Sequence, residues 1–159
     1  MYYEDLTPYR VGHKLYSNIL NIGWIDINYP FPTGNVSIEL INKLLELTLF
    51  NLDQHPMADK YGLHTHPKGI IVHTMHMMGS PFECPFCNKE IEIKDQNNRI
   101  MVLGKNEMCL PSYNSNITYN FPTLLYHYIS EHHYLPPIEF LKSLDEFNLN
   151  QPYSCLDVC

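Results

Sequence analysis

Cys84-Pro-Phe-Cys87 is the feature that most restricts this chain. Two cysteines with two residues between them fit a tight turn that points both sulfurs at one ion. Further on, a segment with helical spacing of apolar residues carries His127, His132 and His133. Two Cys joined by two His, with three to five residues between the His, form a recurring donor set for structural zinc. Strand-forming sequence lies between the two pairs and a helix carries the second, which is the order of a zinc-finger unit. The stretch from Cys87 to His127 is far longer than the ~12 residues of a short finger, so the spacing implies an expanded unit over 84–134. Both His132 and His133 satisfy the spacing, which leaves the fourth donor open between them. The other readings are a redox pair and two buried thiols. A redox Cys-x2-Cys opens a helix beside a parallel sheet, whereas strand-forming residues follow this one. Four protein donors leave no open position for water, so such a Zn2+ site contributes stability rather than catalysis. Two thiolates balance the ion's charge, and the formal net charge stays near −7.

That charge has its own consequence. Non-specific nucleic-acid binding needs clustered Lys and Arg to displace counterions. Here the 10 basic residues are scattered singly. Hydrophobic residues make up 45% and charged residues 17%, a globular rather than a disordered composition. A chain of 159 residues implies one zinc-containing domain over 1–148 with a flexible tail at 149–159. No apolar run approaches the ~20 residues of a membrane span: Glu46 and Thr48 interrupt Leu44 to Phe50. The acidic, polar start does not read as a signal peptide, and five cysteines make no disulfide scaffold. The expectation is a cytoplasmic protein with reduced thiols and no membrane contact.

Along the chain, residues 1–18 read as a Tyr-rich extended arm. Ile19 to Ile27 reads as a strand with a bulge at Gly23, and 28–35 as a Pro-rich link. Ser37 is a candidate N-cap for a helix over 37–50, with Ile38, Ile41, Leu44, Leu45 and Leu49 on the buried side. Residues 51–83 read as a His- and Met-rich loop with a short strand at Ile70 to His73. Strands are expected around Ile91 and Ile93, at 99–103 and at 107–110, with a turn at 95–98. Helices are expected over 122–133 and, opened by Pro137, over 137–147.

Other candidates are weaker. His64-Thr65-His66 resembles the start of a deubiquitinase-type metalloprotease motif. That motif needs an Asp about eleven residues beyond the second His; position 77 is Met77, and no Asp lies between Asp59 and Asp95. His64, His66, His73 and His76 could still hold a second metal, but a solvated polar loop is the simpler reading. Met75, Met77 and Met78 read as core filling. Cys109 reads as a small buried hydrophobe, Cys155 and Cys159 as spare thiols, and Trp24 as a core anchor. Tyr2, Tyr3, Tyr9 and Tyr16 form either a contact surface or an inner packing layer.

Five blocks resemble a bacterial family, abundant in actinobacteria and known as a domain of unknown function. They are YYEDLTPY (2–9), LNIGWID (20–26), FPTG (31–34), CPFC (84–87) and FPTLLYHYISEHHYLPPIEFLKSL (121–144). The last block carries His127 and His132 where the family carries its His, so the resemblance implies Cys84, Cys87, His127 and His132 as the metal ligands. In the family a short Arg/Gly-containing link precedes the Cys pair; here residues 51–83 are longer. The resemblance implies no activity or substrate. The expected fold class is α+β, with short antiparallel strands and about three helices around an expanded Cys2His2 unit. The expected function is a structural-zinc, non-enzymatic interaction or regulatory module whose partner is another protein. The alternatives are a metal-dependent enzyme using the His64–His76 cluster and a nucleic-acid-binding finger, which the charge disfavours.

Overall fold

The computed structural model describes residues 1–52, 63–65, 71–73 and 82–150. The chain opens on a hairpin. Gly12-His13 is a two-residue turn with Gly12 at φ +56°, a conformation that glycine adopts without steric cost. It joins β1 (Pro8–Val11) to β2 (Lys14–Asn21) in antiparallel register from Val11↔Lys14. The expected arm over 1–18 is therefore confined to residues 1–7, and the expected strand over 19–27 begins earlier and ends at Asn21. Gly23, at φ +68°, turns the chain out of the sheet, and a Cβ there would lie 2.4 Å from Leu125 Cδ1. Ile22, Trp24 and Ile25 remain buried beyond the strand's end, whereas Ile27 is exposed.

Helix α1 (Ile38–Leu52) starts where expected: the Leu40 N–H donates to Ser37 Oγ at 3.3 Å. Of the expected stripe, Leu44 is buried and Ile41 packs against the core, whereas Ile38 is 61% exposed, and Leu47 and Thr48 are buried beside Leu44 instead. Strands β3 (Leu63–Thr65) and β4 (Ile71–His73) pair antiparallel, and β4 coincides with the short strand expected near 70–73. The rest of the expected 51–83 loop, with its methionines, lies outside the described residues.

Strands β5 (Glu92–Lys94) and β6 (Ile100–Val102) form a separate hairpin behind the Cys pair. Asp95 organises its turn, accepting through Oδ1 from the Asn97 and Arg99 N–H groups, both at 2.8 Å. Strands β7 (Glu107–Pro111) and β8 (Thr118–Pro122) return to the main sheet, whose order is β1-β2-β8-β7-β4-β3. The β2–β8 pair is parallel; the other described pairs are antiparallel.

Strand β8 corrects the sequence reading, which began a helix at Pro122. Tyr119 and Phe121 enter the core while Thr118 and Asn120 take the other face, a period-two alternation that is a strand signal. Helix α2 (Leu125–His132) then starts three residues late. Helix α3 (Ile138–Glu146) follows Pro137 as expected, and Phe140 packs edge-on against Phe121 and Tyr119 at 5.2 and 5.7 Å. The α+β class is observed, with three helices and short strands among the described residues. Of the expected tail, residues 151–159, with Cys155 and Cys159, lie outside the described residues.

The sheet's second face buries a polar row. Glu107, only 3% exposed, accepts through Oε2 from Tyr9 Oη at 2.6 Å and from Asn120 Nδ2 at 2.8 Å. Asn21, the register partner of Asn120, donates to Thr7 Oγ1 at 3.2 Å and to the Pro8 carbonyl at 3.3 Å. Burial pushes the Glu107 carboxyl above its ordinary range, against the opposing pull of the Tyr9 and Asn120 hydrogen bonds. Cys109 is buried on this face, as its sequence context implies.

Candidate metal centre

The Cys-x2-Cys turn is built by its backbone. The Cys84 N–H donates to the Lys89 carbonyl at 3.0 Å, and the Asn88 N–H donates to the Cys84 carbonyl at 2.9 Å. Asn88 sits at φ +51°, a left-handed position that asparagine tolerates better than most residues. This closed loop holds Cys84 Sγ and Cys87 Sγ against α2.

Helix α2 supplies the other two donors. Residues five apart on an α-helix are separated by about 140° around its axis, so the two rings approach each other from different sides of the helix. His132 Nε2 and His127 Nε2 lie 3.2 Å apart. Cys84 Sγ and Cys87 Sγ each lie 3.3 Å from His132 Nε2, and Cys87 Sγ lies 3.4 Å from His127 Nε2. The four donor atoms all fall within 4.8 Å of one another. The structure thus brings together the four residues that the sequence singled out.

It also separates His132 from His133. His133 adopts a left-handed conformation at φ 54°, and the Tyr134 N–H donates back to the Tyr128 carbonyl at 3.1 Å. This closure, with the left-handed residue just before its donor, ends the helix one residue wider than a Schellman motif does. It leaves the His133 side chain exposed and outside the cluster. The Gly34 N–H donates to the His133 carbonyl, and the Leu135 N–H donates to the Pro32 carbonyl, both at 2.9 Å. The Pro-rich link thereby clamps the helix end.

Burial grades the four donors. Cys84 and His127 are buried, while Cys87 and His132 are half-buried. Burial pushes the Cys84 thiol above its ordinary value; the Cys87 and Phe86 backbone hydrogen bonds oppose this, and the neighbouring Cys87 adds to it. Burial lowers both imidazoles, and for His127 the charge of His132 adds to the effect. The rings are therefore kept neutral, with lone pairs free to bind. A buried thiolate in this place needs a positive ion to be favourable.

An aromatic shell surrounds the donors. Phe86, inside the Cys turn, packs on His132 at 4.8 Å, on Phe31 at 5.4 Å and edge-on to Tyr128 at 6.1 Å between ring centroids. Tyr134 is fully buried, and its hydroxyl donates to Asp5 Oδ2 at 2.7 Å, while Asp5 Oδ1 accepts from the Gly23 N–H at 2.9 Å. Sequence reasoning gave these supporting residues no part in the site: no fixed spacing links Asp5 to Tyr134.

The family model described as domain of unknown function DUF7919 matches residues 1–145. The chain belongs to this family. Comparison with curated proteins and with solved structures gives no match. In this DUF7919 protein the blocks at 2–9, 20–26, 31–34, 84–87 and 121–144 are distant in sequence. The contacts of Asp5, Gly23, Phe31, Phe86 and Tyr134 bring all five together around or behind the four donors.

The histidine-rich middle is only partly described. His64 lies in β3 opposite Val72, and His73 lies in β4 opposite Leu63. Their side chains, and His66 and His76 entirely, lie outside the described residues. Trp24 is buried, as expected of a core anchor. The Tyr-rich segment packs onto the domain: Tyr9 is buried, Tyr2 stacks on Tyr29 at 4.0 Å, and Tyr3 meets Trp24 edge-on at 5.8 Å. Among the described residues no helix is long and apolar enough to cross a membrane.

Proposed function

We propose that this DUF7919 protein is a structural-zinc protein whose folded surface serves interaction or regulation rather than turnover. One observation carries the reading: two thiol sulfurs and two imidazole nitrogens share a space no more than 4.8 Å across. An S2N2 donor set with tetrahedral geometry favours zinc over the oxygen-seeking divalent ions. Zinc bond lengths put tetrahedral S···N edges at about 3.5 Å and the N···N edge at about 3.3 Å. Three of the four S···N separations, at 3.3–3.4 Å, and the N···N separation of 3.2 Å match these edges closely.

Bound zinc supplies charge compensation and a cross-link. The chain's residues do the rest. Cys84 and Cys87 present two sulfurs from one turn. His127 and His132 present neutral nitrogens from α2. Phe86 and Tyr128 shield the donors from one side. Four protein donors fill a tetrahedron, which leaves no position for a substrate or an activated water. The formal net charge of −7 speaks against a nucleic-acid partner and for another protein.

Native mass spectrometry of protein purified without chelator tests this. The expected result is one zinc per chain, lost on Cys84→Ser and retained on His64→Ala and His66→Ala. A second, exchangeable metal lost with His64 and His66 would favour the metalloenzyme reading instead. Salt-dependent DNA or RNA binding at physiological ionic strength would favour the nucleic-acid reading.

A further inference from the structure

On the outer side of the residues that support the metal cluster, the first residues fold against the Pro-rich link and leave a cleft of about 200 Å³ between them. The Tyr3 N–H donates to the Trp24 carbonyl at 3.1 Å, and the Leu6 N–H donates to the Asn21 carbonyl at 2.8 Å, so the segment has a defined course. The lining is largely apolar and aromatic, with Tyr2, Tyr3, Phe31 and Pro30 among it, and includes two acidic residues, Glu4 and Asp5. None of the lining residues is basic. The Met1 ammonium faces Asp26 at 3.6 Å instead. Asp5 is held by hydrogen bonds from the Gly23 N–H and the Tyr134 hydroxyl and has no cationic partner among the described residues.

The surroundings are apolar and exposed. Met1, Tyr3, Leu6, Ile27 and Tyr29 are 53%, 36%, 40%, 62% and 49% exposed, and all lie in the first residues, in the Pro-rich link or immediately before it. An apolar, aromatic rim around carboxylates without a counter-charge is the complement of a cation that also offers a flat face. Guanidinium meets both demands: it stacks on aromatic rings and forks to carboxylates, whereas an ammonium acts as a compact point charge. Arginine is also enriched among the residues that dominate protein interfaces.

We propose that this cleft receives an arginine side chain from a partner protein, an inference that rests on the interaction-module reading above. The guanidinium lies against Tyr2 and Tyr3 and reaches Glu4 and the outer edge of Asp5, while the partner's flanking apolar residues cover Leu6, Ile27 and Tyr29.

The test is a titration of the full-length, zinc-replete protein, followed by amide NMR shifts, with three capped tripeptides: Gly-Arg-Gly, Gly-Lys-Gly and Gly-citrulline-Gly. The arginine peptide is expected to move amides in residues 2–6 and 25–32 and to weaken as salt is added. Citrulline, which keeps the shape and loses the charge, is expected to be silent. Glu4→Gln, at the surface, and Tyr2→Ala, which also gives up the stack on Tyr29, are each expected to weaken arginine binding by about fivefold, with other shifts confined to the Glu4→Gln site and to the neighbours of Tyr29. Absence of shifts at millimolar arginine peptide overturns the proposal. So does equal binding of citrulline or of lysine. The zinc content of the same sample decides the underlying reading separately: a silent cleft in a zinc-loaded protein rejects the arginine site alone, and zinc-free protein rejects the metal reading whatever the titration shows.

Discussion

Two buried polar clusters flank the 118–132 segment, and they solve the same problem in opposite ways. Cys84, Cys87, His127 and His132 turn four donor atoms inward on one another, and the buried thiol's ionisation is unfavourable without an ion. Glu107, Asn120 and Tyr9 pair with one another: a carboxylate accepts from a phenol and an amide across neighbouring strands, while the buried Asn120 and Asn21 Oδ1 atoms accept no hydrogen bond among the described residues. The first cluster is a socket and the second is a knot. Buried polar atoms without a protein donor occur in both; what sets the first apart is that four metal-type donor atoms converge within 4.8 Å of one another.

Breaking the socket should have the largest effect. Cys84→Ser is expected to abolish metal binding and to unfold the 84–134 region, because binding and folding are coupled with about 10–16 kcal/mol at stake in structural zinc units. Loss of cooperative thermal unfolding and of zinc together would verify this; a zinc-free variant with unchanged unfolding would contradict it. In the knot, Glu107→Ala leaves the Tyr9 hydroxyl and an Asn120 N–H without their acceptor, at a cost of about 2–3 kcal/mol, measured by urea unfolding.

The two clusters also differ in pH response. The folded Glu107 carboxyl titrates above its unfolded value, so its contribution is fully present below the ordinary carboxylate range and is lost as pH rises through the folded value. In saturating zinc, wild type should therefore lose stability relative to Glu107→Gln as pH rises through that window. A pH-independent difference between the two would show that Glu107 does not titrate differently on folding. Metal binding runs the other way, since acid protonates the thiolates and imidazoles and releases the ion.

Smaller effects come from the supports. Tyr134→Phe removes one hydrogen bond to the Asp5 carboxyl and should cost about 1–2 kcal/mol with zinc retained. His133→Ala, outside the cluster, should change stability by less than about 0.5 kcal/mol and leave metal content unchanged. Zinc loss on His133→Ala would reverse the choice between the two neighbouring histidines.

The socket was legible in the sequence because metal donors are few in kind and constrained in spacing. Cys84-x2-Cys87 and His127-x4-His132 stand out even 40 residues apart. The choice of His132 over His133 rested on resemblance, and its physical cause, the left-handed turn at His133, shows only in the fold. The knot was illegible: Glu107, Asn120 and Tyr9 are ordinary residues whose partnership depends on the β8–β7 register. The same holds for the end of β8. Its alternation over 118–121 is a strand signal too short to place the strand's end, and pairing with β2 and β7 carries it through Pro122, where the sequence reading opens a helix. The β1–β2 hairpin did carry a local signal, the two-residue Gly12-His13 turn, inside a segment whose tyrosines masked it.

X-ray absorption at the zinc edge on protein purified without chelator reads the donor set itself. The expected result is a four-coordinate shell of two sulfurs at about 2.3 Å and two imidazole nitrogens at about 2.0–2.1 Å, with the sulfur count falling in Cys84→Ser. A shell of nitrogen and oxygen alone, or no zinc at all, would contradict it.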